Sequence, residues 1–193
     1  MAEIIEGAID IASLGNEGWL KRYLRQTFFI DPIVRELKGY VLDIGCGLAP
    51  YLARYTDISL GIDACEANVG VCRRKGIQTI WADVNAFVQE KAFDTVLLAH
   101  VLEHLSEPNR ALENAYLSTK IGGRIIVIVP GLVSFLVGLN NLVGHKQFIN
   151  EQYVDYYLLR KGCRKLKSYT FPPFGFPYFS KYQELRLIYQ VGR

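Results

Sequence analysis

The stretch that most narrows what this chain can become is Tyr40-Val41-Leu42-Asp43-Ile44 followed at once by Gly45-Cys46-Gly47-Leu48-Ala49-Pro50. Its first half is an apolar run rich in β-formers, the pattern of a strand buried on both faces of a parallel sheet. Its second half is a glycine-punctuated turn, and Pro50 suits a first helical turn, where its missing N–H would be unpaired anyway. The stretch predicts strand, tight loop, helix. Gly45 and Gly47 carry no Cβ, so the backbone there can bend sharply and approach a ligand at the helix N-terminus.

Spacing separates two kinds of cradle. A dinucleotide loop is written Gly-x-Gly-x-x-Gly, and counting from Gly45 its third glycine falls on Pro50. A nucleotide-binding oxidoreductase is therefore the weaker reading. What remains, Asp43-x-Gly45-x-Gly47-x-Ala49, resembles motif I of the class I S-adenosylmethionine-dependent methyltransferases, usually written with a third glycine where this chain has Ala49.

Downstream segments extend the resemblance over roughly Tyr40 to Pro130. Ile58 to Asp63 reads as a second strand ending in an acid, about 20 residues beyond the first glycine, and one carboxylate can accept from two adjacent ribose hydroxyls. Asp63 also suits capping of the helix expected over Cys65 to Lys75. Ile77 to Trp81 reads as a third strand. The Ala82-Asp83-Val84 that follows resembles the family's adenine-binding acid, with the next backbone N–H facing a ring nitrogen; the same acid suits capping of a short helix over Val84 to Gln89. Phe93 to Ala99 is a fourth strand, and His100-Val101-Leu102-Glu103-His104 after it resembles the family's segment beside the methyl donor. The resemblance implies S-adenosyl-L-methionine as cofactor, held by Asp43, Gly45, Cys46, Gly47, Asp63, Ala64, Asp83, Val84, Ala99 and His100.

His100-x-x-Glu103-His104 also fits the pattern of inverted zinc peptidases. That chemistry needs both histidines one turn apart on a helix, a third ligand, and a water for the glutamate to deprotonate. Here a buried strand ends directly before the motif and Ser106-Glu107-Pro108 starts the next helix directly after it, so no metal is expected.

Glu107-Pro108 opens a helix through about Thr119, and Gly122-Gly123-Arg124 reads as the turn into a fifth strand, Ile125 to Val129. From Ile125 to Val143 no residue is charged, a length of about 19 that approaches a membrane span. The β-branched start, the Pro130-Gly131 stop, and Gly138, Asn140 and Asn141 favour a central strand followed by an apolar helix or lid. Glu151 to Lys161 reads as a helix stopped by Gly162, and Cys163 to Phe171 and Glu184 to Val191 as final strands. The aromatic, proline-stiffened loop 171–179 reads as packing, an interface, or the wall of an apolar substrate site. It lacks the leading amide or acid of the loop in enzymes that methylate nucleobase amines. His145, in Gly144-His145-Lys146-x-Phe148, looks like a segment of small-molecule and sugar methyltransferases and is the first candidate base; His100 is the second.

The alternation predicts an α/β fold: a doubly wound, Rossmann-like, mainly parallel seven-stranded sheet with helices on both faces and an N-terminal helical cap. Right-handed crossovers bring Gly45, Asp63, Asp83 and His100 to one edge. The expected layout over 1–193 is one domain, with 1–38 the cap, 39–131 the cofactor core, and 132–193 the substrate side and last strands. The resemblance implies a cap that closes over the cofactor, where Arg22 or Tyr23 could reach its carboxylate; ordinary packing and solvation is the other, and stronger, reading of each. A net charge of +3 with scattered Lys and Arg argues against nucleic acid. Four cysteines without a CxxC pair suit a reducing compartment, and the N-terminus lacks a basic region before an apolar one, so a cytoplasmic location is expected. The expected partner is a small-molecule, sugar or lipid-like acceptor methylated on oxygen or carbon, with peripheral membrane contact and oligomeric state left open. A non-catalytic binding or regulatory module on the same fold is the alternative.

Overall fold

The strands are Val41–Ile44 (β1), Ser59–Asp63 (β2), Thr79–Trp81 (β3), Phe93–Ala99 (β4), Thr119–Pro130 (β5), Arg164–Phe171 (β6) and Glu184–Gln190 (β7). They form one seven-stranded sheet in the order β3-β2-β1-β4-β5-β7-β6. The computed structural model describes residues 18–55, 58–132, 134, 145–172 and 183–192. β1 to β5 are parallel, and β7 runs antiparallel between β5 and β6. The order reverses at β1, between β2 and β4, where open α/β sheets leave a crevice beyond the strand carboxyl ends.

Alternation along the strands feeds two cores. Leu42, Ile44, Val96, Leu98, Ile125 and Val127 face one side, where helix α4 (Pro108–Ser118) contributes Ala111, Leu112 and Ala115, and helix α5 (Glu151–Leu158) contributes Val154 and Leu158. Val41, Leu97, Ile126, Ile128 and Ile188 face the other side. Ile30, Ile33 and Leu37 from the N-terminal segment, Leu52, and Cys72 of helix α3 (Glu66–Arg74) cover it. The N-terminal segment runs as helix α1 (Trp19–Arg25), a π-helical turn (Gln26–Ile30) and a short helix α2 (Asp31–Val34) that restarts at Asp31-Pro32. Asn150 caps α5 by accepting from the Tyr153 N–H at 2.9 Å, and Gly162 ends the 3₁₀ turn after it with φ 81°.

Three expected elements differ. The helix after the glycine loop is a single 3₁₀ turn, Leu52–Arg54. The stretch between Ile44 and Ser59 is barely the dozen or so residues a parallel crossover needs, and the loop takes half of it. Val84 to Gln89 is a single turn over 84–86 followed by irregular chain rather than a helix; so short a segment gains too few hydrogen bonds to offset nucleation. Gly122, Gly123 and Arg124 lie inside β5, where the pairing jumps from Phe93↔Thr119 to Thr95↔Arg124. Gly122 takes φ 81° at that irregularity, so the glycines serve a bulge, not a turn between elements. Most of the apolar stretch 132–143 and of the aromatic loop 171–179 lies outside the described residues, as do residues 1–17 of the cap. No helix among the described residues is long and apolar enough to cross a membrane.

Candidate active site

The glycine loop closes onto the acid at the tip of β2. Gly45 has φ 68°, and a Cβ there would lie 2.4 Å from Val101 Cγ2, so only glycine lets the loop press against the turn after β4. Gly47 has φ 55° and nothing within 4 Å of a built Cβ, which leaves open space above its backbone. Its N–H donates to Asp63 Oδ2 at 2.8 Å. Asp63 Oδ1 accepts from Cys65 N–H at 2.8 Å and from Asn68 Nδ2 at 3.2 Å. A carboxylate offers about four acceptor sites, so about one remains, on Oδ2. Asp63 precedes α3 through a side-chain turn at Cys65 rather than as the cap itself, since the N-cap position is Cys65. Ala49, where a third glycine is usual, is buried and held at φ 53°. Cys46 is buried against β2, with its N–H on Ile62 O at 2.9 Å.

Asp43 lies beneath the loop, 1% exposed, and its Oδ2 has no hydrogen-bond partner among the described residues. Burial first, and the Asp63 charge second, hold its carboxyl well above the usual carboxylate range. Ala64 is exposed, and its carbonyl accepts from Trp81 Nε1 at 3.0 Å, which sets an exposed indole beside the β2 tip. Asp83 is exposed and accepts from Asn85 N–H at 2.8 Å. Val84 is buried, its carbonyl held by Asn114 Nδ2 at 3.1 Å. Arg22 and Tyr23 are exposed on α1.

Beyond β4 the chain turns at His100, which has φ 55°. Its Nε2 lies 3.0 Å from Glu184 Oε1 and its Nδ1 3.3 Å from Glu103 Oε1. Burial alone would lower the pKa of this imidazole; the two carboxylates outweigh it and push the pKa up to about 10. With 39% of the side chain accessible, His100 is an imidazolium at the crevice edge and no proton acceptor at neutral pH. Glu184 Oε2 in turn accepts from Arg186 Nε at 2.9 Å and Nη2 at 2.7 Å. Arg186, 1% exposed, stacks over Phe171 at 4.7 Å and Phe29 at 5.7 Å and donates to Phe29 O at 3.2 Å. His145 packs on His104 with ring centroids 5.0 Å apart. Burial lowers its pKa, Glu103 opposes, and His104 and His100 add to the lowering, so His145 is neutral at pH 7.

The expected residues thus fall into two groups on one edge: Asp43, Gly45, Cys46, Gly47, Asp63 and Ala64 beside β1 and β2, and Ala99, His100 and His145 beside β4. Asp83 and Val84 flank the first group after β3. Asn68, Trp81, Glu184 and Arg186 also belong to the site, though no motif marks them. For the last two a signal existed: Glu184 and Arg186 alternate with Leu185 and Leu187, placing charges on one face of an apolar strand. The open space above Gly47, the remaining Asp63 acceptor site and the exposed indole fit an adenosine with its ribose hydroxyls.

Residues 42–127 match the family model of the methyltransferase domain. Ubiquinone biosynthesis O-methyltransferase of Coxiella burnetii is 27% identical over 147 residues, 70% of this chain and 59% of the relative. The chain spans about three fifths of that relative's length. Among solved structures, a chain from the complex of the Haloferax volcanii Trm112 methyltransferase activator with a methyltransferase aligns with TM-score 0.75 at 12% identity, covering 98% of both. Magnesium protoporphyrin IX methyltransferase of Synechocystis, solved with bound S-adenosylhomocysteine, aligns with TM-score 0.71 at 19% identity, covering 92% of this chain and 90% of that one. These likenesses are of fold.

Proposed function

We propose that this chain, whose central segment is a methyltransferase domain of the class I, S-adenosylmethionine-dependent fold, transfers a methyl group to a small, lipid-like aromatic acceptor on oxygen or carbon. The observation that carries the reading is the meeting of the glycine loop with the β2 acid, Gly47 N–H to Asp63 Oδ2 at 2.8 Å, inside the matched segment. The likeness to a ubiquinone biosynthesis O-methyltransferase supports this acceptor class.

The cofactor supplies a methyl carbon already activated on a sulfonium, so the protein's part is alignment and exclusion of water. Gly45, Cys46 and Gly47 would carry the backbone past it, Asp63 would accept from the ribose, and Asp83 with the Val84 N–H would meet the adenine. Ala99 and His100 would border the methyl. With cofactor bound, the acceptor's electron pair would form the new bond to the methyl carbon as the carbon–sulfur bond broke, leaving S-adenosylhomocysteine. Where the acceptor is a hydroxyl, its proton goes to His145, which is neutral, rather than to His100, which is already protonated.

A second reading has its own observation. The helix after the glycine loop is reduced to Leu52–Arg54, and Asp63 already holds three donors, which suits a module that binds cofactor without turning it over. Incubating the full chain with labelled methyl donor and a panel of catechols, quinols and hydroxylated lipids tests both. Transfer to an aromatic member supports the first. Binding of S-adenosylhomocysteine without transfer to any acceptor supports the second.

A further inference from the structure

We infer that Glu103, His104 and His145 form a binding site for a divalent first-row transition metal ion. One ligating atom from each lies within 4.8 Å of the others, joining the 3₁₀ turn after β4 to a segment some 40 residues further along the chain. The set differs from the one the His-x-x-Glu-His spacing suggests, because both ring nitrogens of His100 face carboxylates, Nε2 that of Glu184 and Nδ1 that of Glu103, while His145 comes in from outside the motif.

A second observation points to the same place. Glu103 is 1% exposed, and neither of its carboxylate oxygens has a hydrogen-bond partner among the described residues. His100 Nδ1 forms an ion pair with Oε1 at 3.3 Å, and Oε2 has no such partner among the described residues. A buried carboxylate with one oxygen unmatched is costly, and buried charges are paired or coordinate metals.

The scaffold is also fixed. Lys146 N–H donates to Glu103 O at 2.8 Å, and Gln147 Nε2 donates to Leu105 O at 2.6 Å. These two bonds pin the segment after His145 against the turn that carries Glu103 and His104. Zinc bound at 2.0–2.1 Å needs ligand atoms about 3.3 Å apart, so atoms that already lie within 4.8 Å of one another have at most about 1.5 Å to close. Two imidazole nitrogens with one carboxylate favour zinc, cobalt, nickel or iron(II) over calcium or magnesium, which prefer all-oxygen sites. Three protein ligands leave a position open to water or an acceptor oxygen. His100, against Glu103 Oε1, orients the carboxylate as an outer partner. An ion on His145 would occupy the nitrogen pair that the base role needs, so the two roles exclude each other.

The test uses the tag-free full chain, stripped with a chelator and titrated with Zn²⁺ by calorimetry and with Co²⁺ by visible absorption. Saturation at one ion per chain is expected, with a nitrogen–oxygen Co²⁺ spectrum. Affinity should fall at least about 10-fold in both Glu103→Gln and His145→Ala. His145→Ala, at a half-buried loop position, keeps the test decisive if Glu103→Gln does not fold. No saturable binding by the folded wild type, unchanged affinity in His145→Ala, or a thiolate-to-metal band from the cysteines would overturn the site. Neither cofactor nor acceptor enters this titration, so its outcome is independent of the methyl-transfer reading.

Discussion

The tips of β1 and β2 and the tips of β4 and β7 share one edge of the sheet but hold their charges by opposite means. Beside β1 and β2, Asp63 takes two of its three donors from backbone N–H groups, those of Gly47 and Cys65. Chain conformation sets that half, and its glycines are there because φ is positive or a neighbour is close. Beside β4 and β7, His100, Glu103, Glu184 and Arg186 are held by one another. A site built on backbone donors tolerates change around it. A network of buried side chains fails when one member leaves, because its partner is left charged and uncompensated.

The largest test of that contrast is Arg186→Met. Removing the guanidinium leaves Glu184 with His100 alone and should destabilise the chain by about 3–5 kcal/mol in urea unfolding; a loss under about 1 kcal/mol would show that the network adds little. Next comes Gly45→Ala, where an unfavourable φ coincides with the Val101 contact at 2.4 Å. A cost of about 3 kcal/mol is expected. Gly47→Ala shares the backbone penalty but meets nothing within 4 Å, and should cost about 1–2 kcal/mol. Equal losses at the two glycines would remove Val101 from the explanation.

The smallest effect is a pH slope. Burial and Asp63 raise the Asp43 pKa in the folded state, so the unfolded chain releases this proton first. As pH rises above the unfolded value of about 4, the unfolded state gains and stability falls until the folded pKa is passed. Asp43→Asn should therefore flatten the decline between pH 5 and pH 8 and leave the variant at least as stable as wild type at pH 8. A variant that loses stability equally at both pH values would show that Asp43 acts by shape alone.

The same contrast explains what could be read in the sequence. The parallel core was legible because Val41–Ile44 and Phe93–Ala99 are apolar runs whose only stable place is a buried strand. Asp63 and the glycines were legible because backbone geometry leaves few residue types able to serve. The missing helix after the loop was not, since Pro50 fits both a helix start and a turn, and the short return to β2 decides between them. On the other half, Glu103 and His104 were visible as a motif, but their meeting with His145, and the pairing of His100 with Glu184, depend on segments brought together only by the fold. A single sequence holds no local pattern for such contacts.

The most direct measurement is a calorimetric titration of S-adenosylhomocysteine into the full chain, wild type and Asp63→Asn side by side. The account predicts saturation at one equivalent for the wild type. For a variant that remains folded by circular dichroism, it predicts affinity lower by about 10- to 100-fold, the loss of charge-assisted bonds to the ribose. A folded wild type giving no saturable heat, or equal affinity in the two proteins, would contradict an adenosine site at the meeting of the glycine loop and the β2 acid.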